Sequence, residues 1–120
     1  MSQTNFKKLS EDRIVELKAM VSSDQLNELV KDFDEFMMRS YIAWTSHNYV
    51  ERCKQQKSIR RRYYFNGRTK YVVGNVLNWK GSDYMVVGKY YCVNGDYKNH
   101  RLRIYALTGL GKGRVISINI

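Results

Sequence analysis

The chain has 120 residues, 43% of them hydrophobic and 27% charged, and its 21 Lys and Arg against 11 Asp and Glu give a net charge of +10. That length fits one domain with a modest core, and no apolar run approaches the ~20 residues that a membrane-spanning helix needs. Two cysteines, Cys53 and Cys92, and two histidines, His47 and His100, are too scattered for a zinc site or a disulfide framework. Both thiols read as small apolar packing residues, and neither a metal nor a cofactor is expected.

The segment from Met1 to Lys8 has no apolar stretch of the signal-peptide kind, which predicts a cytoplasmic protein with no membrane partner. Residues 1–9 read as a short tail. Ser10 suits the N-cap of a helix over 11–21, with Glu11 and Asp12 in the first turn, where carboxylates favour the helix dipole. Ile14, Leu17 and Val21 mark one face at helical spacing. Ser22 followed three residues later by Gln25 is a capping-box pattern that opens a second helix. There Leu26, Val30, Phe33, Met37, Ser40, Trp44 and His47 recur at alternating spacings of four and three, and Leu29 and Phe36 widen the stripe. Such a face must bury against something. The pattern permits this helix to end near Thr45-Ser46 or to run on to about Lys57.

After Ser58 the period changes. Arg60 to Phe65 meets Asn66-Gly67, then Arg68 to Val73. Asn-Gly between β-prone runs predicts a type I′ hairpin with positive φ at both residues. Lys80-Gly81-Ser82 reads as the next turn. Tyr84 to Val93 is a long strand in which Gly88 marks a bulge or bend. Asn94-Gly95 predicts a second hairpin into His100 to Leu107. The glycine-rich Thr108 to Gly113 turns into a last strand, Arg114 to Ile120. A strand pattern follows those glycines where a phosphate-binding loop would need a helix, so a hairpin turn is expected there.

The expected fold class is therefore α+β: N-terminal α-helices over 1–57, then a basic region over 58–120 forming a small antiparallel five- to six-stranded β-barrel, the two together one compact unit. The run Tyr71-Val72-Val73-Gly74-Asn75-Val76, the run Lys80-Gly81-Ser82-Asp83-Tyr84-Met85-Val86-Val87-Gly88 and the run Gly111-Lys112-Gly113-Arg114-Val115-Ile116 resemble SH3-like barrels of the KOW or Tudor type over about residues 69–120. The resemblance implies a module that binds nucleic acid or protein and is not an enzyme.

Charge is divided along the chain. Residues 1–51 hold six bases and nine acids, about −3, whereas residues 52–120 hold fifteen bases and two acids, Asp83 and Asp96, about +13. Between Glu51 and Asp83 no acidic residue occurs, and nine bases are interleaved with Tyr63, Tyr64, Phe65, Tyr71 and Trp79. Cations neutralise phosphates and aromatic faces stack on bases. Nucleic acid, DNA ahead of RNA, is thus the expected partner, met mainly through phosphates with low sequence specificity. The residues expected to carry it are Lys54, Lys57, Arg60, Arg61, Arg62, Tyr63, Tyr64, Arg68 and Lys70, with Lys112 touching a phosphate from a loop tip. No catalytic constellation stands out. His47 lies on an apolar stripe, and no paired carboxylates fall among the glycine turns.

The absence of proline and the abundance of Asn, Lys, Tyr and Ile match AT-rich genomes, bacteriophages among them. A regulatory or host-takeover factor acting in a host cytoplasm fits that bias. The alternative is a module docking on a host protein complex such as RNA polymerase or the ribosome. The oligomeric state is not legible in the sequence.

Overall fold

A computed structural model describes residues 6–45, 62–67, 69–94 and 97–120, with the backbone alone for 40–45, 62–66, 93–94 and 97–98. Helices α1 (Glu11–Ala19) and α2 (Ser23–Thr45) precede strands β1 (Arg62–Asn66), β2 (Val76–Trp79), β3 (Ser82–Asn94), β4 (Tyr97–Ala106) and β5 (Val115–Asn119). Both helix starts follow from their caps. The Ser10 hydroxyl accepts from the Arg13 amide at 3.2 Å, and the Ser22 hydroxyl accepts from the Gln25 amide at 3.1 Å. The reciprocal half of the capping box is not made. Gln25 Nε2 donates instead to the Tyr105 hydroxyl at 2.9 Å, which ties the start of α2 to the sheet. An extension of α2 to Lys57 falls outside the described residues.

The sheet is antiparallel, with strand order β1-β3-β4-β5 and β2 pairing with β3. β1 pairs with the second half of β3, from Arg62↔Asn94 to Asn66↔Tyr90, and β2 pairs with the first half, from Val76↔Met85 to Trp79↔Ser82. The two short strands therefore share one edge of β3, and the sheet is open and four strands across. Among the described residues β5 pairs with β4 alone, so the expected barrel of five to six strands is not what the pairings draw.

The Asn66-Gly67 turn is corrected. Asn66 ends β1, whose partner is β3 rather than residues 68–73, and Gly67 does not lie in the left-handed region. Its amide donates to the Lys89 carbonyl at 3.3 Å. The two-residue mirror-image turn is Lys80-Gly81, with φ of 51° and 81°, between β2 and β3. Gly88 does mark an irregularity, since the β3–β4 register shifts between Val86 and Gly88. The β3–β4 hairpin forms with Asn94 opposite Tyr97, and the conformation of Gly95 lies outside the described residues.

Each face of the sheet has its own cover. On one, Leu17 of α1 and Val21 of the link to α2 pack with Val76, Met85 and Leu107, while Phe33 of α2 packs with Tyr90 and Cys92. Cys92 is thus the apolar packing residue the sequence suggested, and Cys53 lies outside the described residues. On the other face, Leu77, Val86, Leu102, Ile104 and Ile118 form a cluster against which Phe6 and Tyr71 pack. Val86, Leu102 and Ile104 are fully buried, each contributing about 1.5–3 kcal/mol. No described helix is long and apolar enough to cross a membrane.

Candidate nucleic-acid interface

Of the residues picked from the sequence, those that the structure describes lie in more than one place. Lys54, Lys57, Arg60, Arg61 and Arg68 lie outside the described residues. The backbone of Arg62, Tyr63 and Tyr64 stands opposite Asn94, Val93 and Cys92, at the far end of β3. Lys112 is exposed in the β4–β5 loop, beside the start of β3, where a Cβ on Gly109 would meet the Ser82 hydroxyl. β3 has 13 residues, so these two places are separated by up to roughly 40 Å at ~3.3 Å per residue. Lys70 is exposed between β1 and β2, its ammonium 5.4 Å from the centre of the Tyr71 ring.

Other bases join them. Lys80 at the β2–β3 turn stands 4.7 Å over the Trp79 ring, a cation–aromatic pair at one end of the sheet, with Arg114 exposed in the adjacent loop. Arg101 and Arg103 of β4 are half-buried on the helix-covered side. The signal that could have found them is their alternation with Leu102 and Ile104. Two core residues at i and i+2 of a strand put the arginines that alternate with them together on the opposite face.

The described acid of this half is spent internally. Asp83 is 6% exposed. Its Oδ2 accepts from Arg13 Nη2 at 2.9 Å and from the Thr108 hydroxyl at 3.2 Å, and its Oδ1 accepts from Asn78 Nδ2 at 2.9 Å. The Asp83 amide in turn donates to Thr108 Oγ1 at 2.9 Å. One carboxylate so fastens α1, β2 and the end of β4 to the head of β3. It also leaves Lys70, Lys80, Lys89, Arg101, Arg103, Lys112 and Arg114 without a carboxylate in ion-pair range among the described residues.

Burial pushes the Asp83 carboxyl up, but the hydrogen bonds from Asn78 and Arg13, the Arg13 charge and the Thr108 hydroxyl outweigh it and hold the group below the usual carboxylate range. A carboxyl depressed in the folded state adds stability above its unfolded pKa and loses it as pH falls through the folded value. Urea midpoints measured from pH 6 downward are therefore expected to stay level and then drop in the acid limb below about pH 4. Asp83→Asn should cost about 1–2 kcal/mol at pH 7 and make that limb shallower. A variant whose limb parallels the wild type would show that Asp83 does not carry it.

Among the described residues, no group of three or more His, Cys, Asp and Glu is placed to hold a metal ion. Comparisons with protein-family models, with curated proteins and with solved structures find no match to this chain.

Proposed function

We propose that this is a small basic nucleic-acid-binding protein, a binder and not an enzyme, that holds DNA slightly ahead of RNA, chiefly through phosphates and with low sequence specificity. The observation that carries the reading is the unbalanced charge of the β half. Residues 52–120 hold fifteen bases and two acids, and Asp83 is buried against Arg13 of α1. The cations that remain have phosphate as their natural complement, and Trp79, with Lys80 over its ring, supplies an aromatic face beside one of them. The SH3-like barrel belongs to the same proposal. Leu77 of β2 and Ile118 of β5, at opposite margins of the sheet, share one buried cluster, which supports a sheet curled toward such a barrel. A phage or bacterial regulatory role in a host cytoplasm is the setting that the composition favours.

The test is binding of random duplex, single-stranded DNA and RNA followed by fluorescence anisotropy across salt. On duplex DNA, log K should fall with log salt at about −0.9 per phosphate neutralised. Replacing Arg60, Arg61 and Arg62 together with Ala should flatten that slope by roughly one to three units. No binding to any of the three at ~50 mM salt would sink the proposal in favour of docking on a host protein complex.

A further inference from the structure

The side of the sheet that carries α2 continues onto β4 and β5. Asn99, Arg101 and Arg103 of β4 and Ser117 and Asn119 of β5 are all partly exposed there. Arg101 stands opposite Asn119 and Arg103 opposite Ser117, and paired residues share a face. Arg103 is held from two directions. Its guanidinium carbon lies 4.8 Å over the Phe36 ring of α2, and its Nη1 donates to the Ser117 hydroxyl at 3.0 Å. Arg101 Nη2 donates to the Ser117 carbonyl at 3.5 Å, while its Nε is buried with no hydrogen-bond partner. Next to them Asn99 Nδ2 donates to Asn119 Oδ1.

The ring and the hydroxyl favour Arg103, yet other features of the pair count against stability. Two guanidinium groups rooted about 7 Å apart on one strand face repel each other. Neither has a carboxylate within ion-pair range among the described residues. A half-buried cation pays for desolvation, and the unpartnered Nε adds to that cost. What the arrangement provides is concentrated charge held in position by a ring and a hydroxyl, which is what recognition of a polyoxygen anion requires. The Nε of Arg101 is turned into the protein, so the Nη groups are the atoms such an anion meets.

We infer that Arg101 and Arg103 form a phosphate-binding site on the β4–β5 face beside α2, and that its ligand is the phosphodiester of a nucleic acid. The ligand part rests on the nucleic-acid reading above, whereas the anion site stands on the arginine geometry. The experiment is amide NMR of the whole chain titrated separately with inorganic pyrophosphate and with random single-stranded and duplex oligonucleotides. Both kinds of ligand should shift the amides of residues 99–103 and 117–119. Arg101→Gln with Arg103→Gln should weaken oligonucleotide binding about tenfold at 0.1 M salt and lower its salt slope by roughly one to two units. Arg101→Lys with Arg103→Lys, which keeps the charge, should restore most of the slope. Oligonucleotide binding that leaves these amides still would overturn the site while leaving the nucleic-acid reading intact. Shifts with pyrophosphate and none with either oligonucleotide would uphold the anion site and overturn its ligand. No shift with any ligand would overturn both.

Discussion

Replacing Gly88 with valine is expected to destabilise the protein by roughly 3 kcal/mol and lower its Tm by about 10 °C or more. A Cβ at this position would stand 2.5 Å from two carbons of the Phe33 ring. The contact is close because Gly88 sits at the β3 irregularity, where α2 lays the buried Phe33 directly on sheet backbone. With a side chain there, either the ring leaves its place against Tyr90, with centroids now 6.1 Å apart, or α2 lifts. Phe33→Ala in the Gly88→Val background should return part of the loss, since the two changes share one space. Thermal melts of the four proteins check this. Strict additivity would show that the ring is not seated on Gly88.

Gly67→Val is expected to cost at least as much, and for a reason the sequence did not suggest. A Cβ on Gly67 would lie 2.6 Å from the backbone nitrogen of Tyr90 and 2.8 Å from its Cα. Backbone cannot rotate aside as a ring can, so β1 must part from β3 at its last pair. The left-handed region is not involved, which separates this account from a type I′ turn. Asn is well tolerated at positive φ, so a turn position would accept Gly67→Asn, whereas a close backbone approach rejects it. Gly67→Asn should therefore also melt well below the wild type, with faster hydrogen exchange in β1. A wild-type melting temperature for that variant would restore the turn.

What was legible in the sequence is what local chemistry decides. The caps at Ser10 and Ser22 and the stripe through Leu26 and Phe33 located both helices, because a capping hydroxyl and a helical period act within a few residues. The β3–β4 hairpin and the Gly88 irregularity were legible for the same reason. The partner of β1 was not. Asn66-Gly67 carries a strong turn signal, yet β1 lies instead on a strand some twenty-five residues further along, beneath α2, where pairing and packing outweigh a two-residue preference. In the candidate site, the basic window between Glu51 and Asp83 was plain as composition. The arginines of β4 became conspicuous only once Phe36 and Ser117, distant in the chain, were seen to hold Arg103. Asp83 shows the same limit: its isolation among bases was readable, and its partner Arg13 was not.

The bond between Arg13 and Asp83 joins residues 70 apart in the chain. A ribosome adding ~5–20 residues each second delivers Asp83 roughly 4–14 s after Arg13. For most of that interval Leu17, Val21 and Phe33 have been made while Met85, Gly88 and Tyr90, against which they come to rest, have not. The helices must therefore wait with an unburied apolar stripe. The acids Glu28, Asp32, Asp34 and Glu35 make the waiting segment net negative, which keeps it dispersed and repels it from the anionic ribosomal RNA beside the exit. Fifteen of the chain's 21 bases are translated later, together with the strands that complete the core. The division of charge along the chain is thus also a schedule, in which most of the positive charge arrives with the strands that complete the core.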